Sequence, residues 1–447
     1  MSLCLLTTVL GGGHAASWLH PSTSSRSSID IAYYRSLAQL SEAGKFDMIF
    51  FADGLGARTE QLEYAARYPS YMNQLEPLTL AGYIACSTQR IGIGATISTS
   101  FTEPYNGARA FVSLDHVSAG RAACNIVTSS SDHAAKCFGQ ENLLSHADRY
   151  ARAKEYIEVV NKLWDSWEDD AFIRDRERGL FFDPAKQHAV HYHGKHFRVE
   201  GALNIERAVQ GRPVVIQAGG SEPGKELAAE TADVVFAAGT SIDKAVTFYQ
   251  DLKGRMSKYG RSPDSLKILL GFPVIVGDTD EEADARYDEL QSMIHPEVAR
   301  IRLEVDLEAD LSDLPLDEPI PVDRIPEKAK FNTTYFNNIK HIIETERPTL
   351  RQLALRYHRD DGTHRGSAKK IADIMQQWFE AGACDGFMLN FQTLPDGLQK
   401  FVSDVVPELQ RRGIFRVDYS GPTLRDHLGL ERPQFRLERA ASDAGEA

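Results

Sequence analysis

The strongest constraint on the fold is a repeat that runs through the whole chain: short apolar segments alternate with segments of helical periodicity. Runs without alternating polar positions are typical of parallel strands that are buried on both faces. Eight such units fit a closed (β/α)₈ barrel, the TIM barrel, better than an open doubly wound sheet. The predicted strands cover residues 5–10, 46–51, 91–97, 122–127, 214–217, 234–237, 268–276 and 386–389.

Two segments interrupt this repeat within one predicted barrel domain, residues 1–430. The first insertion, about 166–210, contains HYHGKHFRVEG and predicts a β-hairpin. The second, about 278–366, begins helical and then becomes acidic and proline-containing. Because it follows the seventh strand, it could cover the C-terminal face as an active-site lid, or equally form a solvated or subunit-contacting loop. Residues 431–447 are a polar tail, either disordered or an arm across a partner.

Composition excludes several classes of protein. The formal net charge of −13 argues against a nucleic-acid surface. No segment approaches the roughly 20 apolar residues of a membrane span. The early run CLLTTVL has no basic residue before it, and we interpret it as a strand rather than a signal sequence. Five scattered cysteines without a CxxC pair favour reduced thiols and a cytoplasmic protein.

The segment PVVIQAGGSEPG predicts an anion site. A short buried strand ends in a small-residue turn, and the residues after the turn resemble a helix start. Ser221 suits the N-cap, and Pro223 stands where a missing N–H costs nothing. The free backbone N–H groups and the helix dipole would favour a phosphate beside Gly220 and Ser221.

A second candidate phosphate contact lies in NLLSHADRYARAKEY. Ser145 can cap a helix whose first turns carry His146 and Tyr150. These two residues are four apart and therefore share one helical face. A surface helix with a hydrogen-bonded histidine is the alternative interpretation.

The polar residues at the predicted strand ends are mostly neutral. They include one carboxylate, so the paired acids of a glycoside hydrolase are missing. Neutral donors and acceptors around an apolar barrel mouth suit a planar heterocycle that brings its own chemistry. Asp53 could instead cap a helix, and Thr96 could be an ordinary strand residue. The set comprises His14, Asp53, Thr96, Ser98, Asn125, Thr128, Ser129, Ser221 and Asn390.

The remaining motifs give little support for a metal site, a dinucleotide-binding fold or a serine hydrolase. The four histidines of the predicted hairpin lack an HExxH motif or a Cys/His ligand set, so we predict no metal site and a solvated hairpin. Gly92-x-Gly94 lacks the third glycine of a dinucleotide fingerprint. Pro223 replaces the last glycine that a nucleophile elbow requires.

Several long blocks together resemble the bacterial luciferase-like flavin monooxygenases, and in particular the group of nitrilotriacetate monooxygenase component A and dibenzothiophene-sulfone monooxygenase. The resemblance runs from about residue 5 to about residue 414. The blocks include GGGHAASWLHP, KFDMIFFADG, GIGATISTS, HADRYARAKEYIEVV and RPVVIQAGGSEPGKELAAETADVVF.

The resemblance implies a barrel that binds reduced FMN and reacts with dioxygen (O₂) through a C4a-peroxyflavin to oxygenate a small organic substrate. A separate NAD(P)H:flavin reductase would supply the flavin. His14 would be the catalytic residue at the flavin's reactive edge. One departure from the family is Gly13, where relatives have a polar residue or a second histidine, and it leaves the substrate open. The implied flavin contacts are Asp53, Thr96, His146, Tyr150, Gly220 and Ser221.

Two alternatives keep the barrel and change the activity. Some relatives transfer hydride with a deazaflavin and need no oxygen, and a degenerate member would bind flavin without turnover. No sequence motif indicates the oligomeric state. We expect a homodimer or a dimer of dimers, since two-fold assemblies are the commonest.

Overall fold

Eight parallel strands close into a barrel, as the sequence repeat predicts. The computed structural model describes residues 1–7, 11–57, 62–70, 72–129, 131–239, 241–328, 333–359 and 362–435. In chain order the strands are β1 (Ser2–Thr7), β2 (Met48–Phe51), β3 (Gly92–Ser98), β4 (Ala122–Val127), β5 (Val190–His193), β6 (Arg198–Gly201), β7 (Val214–Gln217), β8 (Val234–Ala237), β9 (Lys267–Gly277), β10 (His364–Ser367) and β11 (Gly386–Phe391).

The barrel strands follow the order β9, β11, β1, β2, β3, β4, β7 and β8, and β8 pairs with β9 to close the ring. Each pairing around this ring is parallel. All C-terminal strand ends therefore meet at one end of the barrel. The first strand begins earlier than predicted, at Ser2, and residues 8–10 of the prediction lie outside the described residues.

Helices surround the barrel and fill the connections. Their limits are α1 (Ile31–Ala43), α2 (Leu62–Arg67), α3 (Pro77–Ser87), α4 (Pro104–Val117), α5 (Asp132–Cys137), α6 (His146–Trp164), α7 (Glu222–Thr231), α8 (Ile242–Arg255), α9 (Asp280–Ser292), α10 (Pro296–Leu307), α11 (Thr333–Glu346), α12 (Leu350–Arg359), α13 (Ala368–Glu380), α14 (Asp396–Lys400), α15 (Val406–Arg411) and α16 (Leu424–Leu428). A π-helical turn, Phe401–Val405, joins α14 to α15. Among the described residues, no helix combines the length and the apolar character needed to cross a membrane.

The core has two layers because each strand presents alternate residues to opposite faces. Outward residues such as Ile93, Cys124 and Phe387 pack against the surrounding helices. Inward residues such as Met48 and Phe50 fill the barrel together with leucines of α16 and the residues after it. Helix α16 therefore closes the N-terminal end and leaves the C-terminal end as the mouth.

The first insertion contains the predicted hairpin, in which β5 and β6 pair antiparallel. The Glu155 carboxylate accepts N–H groups of His196 and Phe197 and holds the turn. His191 and His193 both contact the Glu200 carboxylate, at 2.5 Å each, and are well exposed. No group of three or more potential ligands in the described part of the chain has the arrangement of a metal site.

The second insertion, which we call the excursion (residues 278–366), is built mainly of the helices α9 to α12. These helices have their own apolar cluster, which includes Leu303, Phe336 and Leu353 and also Ala16 from the loop after β1. Strand β10, which the sequence pattern did not predict, pairs in parallel with the last four residues of β9. The excursion therefore begins and ends on neighbouring strands of the main sheet.

The described part of the polar tail, residues 431–435, lies against the first insertion. The Phe435 ring lies 5.2 Å from that of His188, and the Arg207 guanidinium donates to the Pro433 carbonyl at 2.9 Å. The predicted arm or disordered end, residues 436–447, falls outside the described residues.

Candidate active site

The strand β7 delivers Ser221 to the start of α7 in the way the sequence predicts. Ser221 is the N-cap, with extended backbone angles, and its Oγ accepts the Gly224 N–H at 3.3 Å. Pro223 lies in the first turn. The Lys225 N–H donates to the Ser221 carbonyl at 2.8 Å, so the Glu222 N–H is the first-turn donor that is left without a partner within the helix.

Helix α6 brings a tyrosine to the same place. Ser145 caps this helix, with its Oγ accepting the Asp148 N–H at 3.2 Å. One turn later the Tyr150 hydroxyl oxygen lies 3.4 Å from Ser221 Oγ, which donates to it. The His146 ring lies 4.8 Å from the Tyr150 ring. Two segments that are 71 residues apart thus meet as one polar cluster.

The glycines of the turn after β7 shape this cluster. A Cβ on Gly224 would lie 3.0 Å from the Tyr150 hydroxyl, and one on Gly219 would lie 3.3 Å from it. Side chains there would press on the tyrosine. A Cβ on Gly220 would instead meet nothing within 4 Å, so the backbone of Gly220 faces open space. That space, beside hydroxyls and the N-terminus of α7, fits a phosphate group.

Thr96 occupies the inner wall of the barrel near the end of β3. Its Oγ1 donates to the Phe51 carbonyl at 2.9 Å and accepts from Asn125 Nδ2 at 3.0 Å. A hydroxyl has one hydrogen, so the donation to Phe51 leaves Thr96 only as an acceptor toward Asn125. These two consecutive hydrogen bonds fix the orientation of the Asn125 amide.

Asp53 follows β2 in an irregular segment and caps no helix among the described residues. Its Oδ1 accepts from Gln74 Nε2 at 2.5 Å. Burial, reinforced by the Glu76 carboxylate, raises the pKa of Asp53. The interpretation of Asp53 as a helix cap is therefore wrong, and the side chain is held by an amide from the following loop.

His14 lies in the loop after β1 and is 4% exposed. Its Nδ1 accepts the Ala16 N–H at 3.1 Å, which places the ring proton on Nε2. His14 Nε2 lies 3.2 Å from the amide nitrogen of Gln291 of α9, whose oxygen and nitrogen can be interchanged by a flip, and the Tyr287 ring meets the imidazole edge-on at 6.0 Å. Since Nε2 carries a hydrogen, the amide oxygen of Gln291 is the atom that suits this contact.

Gly13 allows this loop to reach the end of β11. A Cβ on Gly13 would lie 2.3 Å from Asn390 Oδ1, so any larger residue would displace that amide. The Gly13 N–H donates to the Phe391 carbonyl at 2.7 Å. The glycine that departs from the family pattern is thus required by the neighbouring strand.

The structure gathers the predicted site residues at the C-terminal end of the barrel in three groups. His146, Tyr150, Gly220 and Ser221 form the cluster beside α7. Thr96 lies in the barrel wall, while Asp53 and His14 lie in the loops after β2 and β1. Sequence reasoning missed Gln74 and Gln291, whose partners are distant in the chain and follow from no local motif.

The arrangement suits a bound flavin. An anion pocket of N–H and hydroxyl groups lies next to a barrel mouth with neutral amides. The Oδ1 atoms of Asn125 and Asn390 are buried and have no hydrogen-bond partner among the described residues. Buried acceptors without partners are costly, and a ligand with ring or hydroxyl donors would satisfy them.

Comparison with known proteins agrees with this geometry. Residues 4–329 match the family model described as luciferase-like monooxygenase. The chain is 43% identical to N-acetyl-S-(2-succino)cysteine monooxygenase of Bacillus subtilis (strain 168), covering 96% of each chain. It is also 43% identical to nitrilotriacetate monooxygenase component A of Aminobacter aminovorans, covering 95% of each.

Solved structures show the same architecture. DmoA from Hyphomicrobium sulfonivorans superposes with a TM-score of 0.84 at 33% identity, covering 96% of this chain and 91% of that one. The two relatives at 43% identity are named as monooxygenases, which favours oxygenation over hydride transfer to or from a deazaflavin. The chain belongs to the luciferase-like monooxygenase family and is a flavin-dependent monooxygenase that uses reduced FMN and dioxygen.

Proposed function

We propose that the cluster at the start of α7 holds the FMN phosphate and that the barrel mouth holds the flavin ring. The observation that carries this proposal is the meeting of Tyr150 and Ser221 at 3.4 Å beside the open backbone of Gly220. Hydroxyl donors and free N–H groups at a helix N-terminus stabilise a phosphate. His146 completes the cluster, while Asp53 and Thr96 contact the ring end.

When bound, reduced FMN supplies the chemistry that activates dioxygen. The protein orients the ring and the substrate and excludes water. His14 presents a hydrogen at Nε2, because its Nδ1 is occupied by the Ala16 N–H. In our proposal His14 donates this hydrogen at the reacting edge by exchanging its contact with the Gln291 amide. Accepting a second proton would require it to give up the Ala16 bond.

The excursion serves as the lid of this site in our proposal. Its support is the contact between Gln291 of α9 and His14, together with Ala16 in the apolar cluster of the excursion. Helices that pack on the loop after β1 can close the mouth and keep water from the reaction. Residues 1–430 then act as a single domain with a built-in cover.

We further propose a separate NAD(P)H:flavin reductase as the source of reduced FMN, a cytoplasmic location and a two-fold oligomer. The five cysteines are all free thiols, which supports a reducing compartment. The relative named component A supports a divided system. The two relatives at 43% identity act, by their names, on molecules with several carboxylates, which supports a small polycarboxylate substrate.

The phosphate assignment is tested by changing its donors. We expect Tyr150→Phe combined with Ser221→Ala to weaken reduced-FMN binding about 150-fold, since the two charge-assisted hydrogen bonds contribute about 1.5 kcal/mol each. Anaerobic titration measures this affinity. Unchanged affinity would refute the assignment.

Two further variants separate binding from folding. Gly220→Ala adds a methyl group to open space, so we expect normal stability and weaker FMN binding. Ser241→Ala is the matched control, because Ser241 caps α8 in the next unit through the Lys244 N–H. It removes a cap of the same kind, worth about 1 kcal/mol, and should leave FMN affinity unchanged.

The reaction is tested by mixing the protein, loaded anaerobically with reduced FMN, with oxygenated buffer and candidate substrates. We expect an oxygenated product from a polycarboxylate such as nitrilotriacetate or N-acetyl-S-(2-succino)cysteine. Product from dibenzothiophene sulfone alone would overturn the substrate class. Reduction of a deazaflavin without oxygen use would overturn the oxygenase assignment.

A further inference from the structure

The Asn125 amide on β4 uses its nitrogen in a hydrogen bond within the protein, whereas its oxygen has no partner among the described residues. Its Nδ2 donates to Thr96 Oγ1 at 3.0 Å, and Thr96 in turn donates to the Phe51 carbonyl. A flipped amide would place two acceptors against each other, so the orientation is determined by the hydrogen bonds. The other end, Oδ1, is buried and has no hydrogen-bond partner among the described residues.

The surroundings of Oδ1 are apolar within the barrel wall. Asn125 is level with Thr96 on β3 and with Ile216 on β7. It shares the inner face of β4 with Ala123, which packs in the barrel core. The side chain is 4% exposed. Thr96 has already donated its only hydrogen and Ile216 is apolar, so the residues level with Asn125 on the adjacent strands supply no donor for Oδ1, and a ligand would supply one.

We propose that Asn125 Oδ1 accepts the N5–H of the reduced flavin ring and thereby makes the site prefer reduced over oxidised FMN. This inference rests on the proposed flavin site. Reduced flavin carries a hydrogen on N5, whereas oxidised flavin presents a bare acceptor at the same atom. A fixed carbonyl oxygen therefore attracts one redox state and repels the other.

The position of Asn125 favours the ring over the ribityl chain or the phosphate. The phosphate cluster is built from residues that follow β4 and β7, beyond the strand ends. Asn125 lies two residues inside the end of β4, about 7 Å deeper along the strand. An apolar wall with a single acceptor suits the edge of a flat heterocycle better than a run of hydroxyl groups.

Such a preference suits an enzyme that receives reduced flavin from another protein. The reduced form is retained for reaction with dioxygen and substrate. The oxidised form, which no longer carries the N5 hydrogen, is bound less tightly and leaves. Asn125 would thus favour the binding of reduced FMN and the release of oxidised FMN.

The first experiment compares the dissociation constants of oxidised and reduced FMN, measured by anaerobic titration. We expect Asn125→Leu to weaken reduced FMN about five- to tenfold and to leave oxidised FMN the same or tighter. A tenfold change in the ratio corresponds to about 30 mV in the two-electron midpoint potential of the bound flavin. Equal weakening of both forms would point to the ribityl chain and overturn the proposal.

The second experiment leaves the protein unchanged. Reduced 5-deaza-FMN has carbon in place of N5 and so lacks this donor, while its phosphate and ribityl chain are those of FMN. We expect the wild-type protein to bind it about five- to tenfold more weakly than reduced FMN and Asn125→Leu to bind both alike. Failure of the wild type to bind any flavin would count against the flavin site itself, whereas binding without this discrimination would overturn only the role of Asn125.

Thr96 provides a matched pair of variants. Thr96→Val removes the hydroxyl that orients the amide, and Thr96→Ser retains it. We expect the valine variant to lose part of the preference for reduced FMN and the serine variant to keep it. Retention of the full preference in Thr96→Val would contradict the positioning role.

Discussion

The two ends of the barrel differ in the kind of polar group that they bury. At the N-terminal end a charge is buried in a pair: the Asp47 carboxylate is fully buried and contacts the Arg416 guanidinium. Tyr419 and the leucines of α16 complete the closure. At the C-terminal end the buried groups are neutral amides and hydroxyls, and the acceptors of Asn125 and Asn390 lack partners among the described residues.

This difference separates stability from function. The Asp47 carboxylate is already satisfied by Arg416 and by the Leu3 N–H. Arg416 Nη1 and His427 Nδ1 are also buried without partners among the described residues, but they belong to a guanidinium and an imidazole and not to neutral amides. The open end retains unsatisfied acceptors, which cost stability and which, in our proposal, bind the cofactor. Changes at the two ends should therefore have different consequences.

The largest expected effect is at the closed end. Arg416→Met leaves the Asp47 carboxylate buried without its cation, and burial already raises the pKa of this acid. We expect a loss of about 3–5 kcal/mol in the free energy of unfolding, measured by denaturant titration. The FMN affinity of the folded fraction should not change.

Arg411→Met is the matched control, because Arg411 pairs with Glu408 on the surface and its side chain is 72% exposed. It should leave stability nearly unchanged, because an ion pair exposed to water contributes little. A comparable loss in both variants, or a loss of flavin affinity in Arg416→Met, would break the distinction between the two ends.

The next effect concerns acid stability. Burial and the nearby Arg416 lower the pKa of His427 from 6.5 to about 4. The unfolded chain binds this proton at a higher pH than the folded protein does. The free energy of unfolding therefore falls as the pH drops from 6.5 to 4, by about 3 kcal/mol at most.

His427→Gln should remove the part of the acid sensitivity that His427 contributes, as measured by denaturant titrations across the same pH range. A comparable part remains, because burial also lowers the pKa of His364 to about 4. The exposed His341→Gln variant should retain the wild-type profile. If the His427→Gln profile matched that of the wild type, another group would have to account for the acid sensitivity.

The smallest effect is at the open end. Gln291→Leu keeps the volume but removes the amide beside His14 Nε2. We expect the yield of oxygenated product per flavin oxidised to fall about fivefold, corresponding to about 1 kcal/mol, with stability nearly unchanged. Gln291→Glu, which retains an acceptor, should keep more of the yield. A large loss of stability without loss of yield would show that Gln291 acts only in packing.

The barrel was predictable because its signals are local. The eight apolar runs coincide with barrel strands, and Ser145 and Ser221 cap the predicted helices. Strand β10 was not predictable in this way. Its sequence, HRGS, is polar, and it becomes a strand because β9 extends past β8 and offers a free edge.

The sequence of the excursion contains a helical pattern of apolar residues, but its acidic and proline-containing stretches draw attention away from it. Leu350, Leu353 and Ala354 recur at helical spacing and are buried in α12. Acidic and proline-containing stretches before them suggested a loop. The contacts of Gln74 with Asp53 and of Gln291 with His14 depend on how distant loops meet, so no spacing in the sequence encodes them.

The extra length of β9 has a consequence for how such an enzyme can change. Its last four residues pair with β10, and the last three of them extend past the pairing with β11, so the excursion stands on a two-stranded stem. Mutations among α9 to α12 can therefore alter the packing of the excursion while the stem keeps its orientation. If the excursion covers the site as proposed, substrate preference can change there without altering the residues proposed to bind FMN.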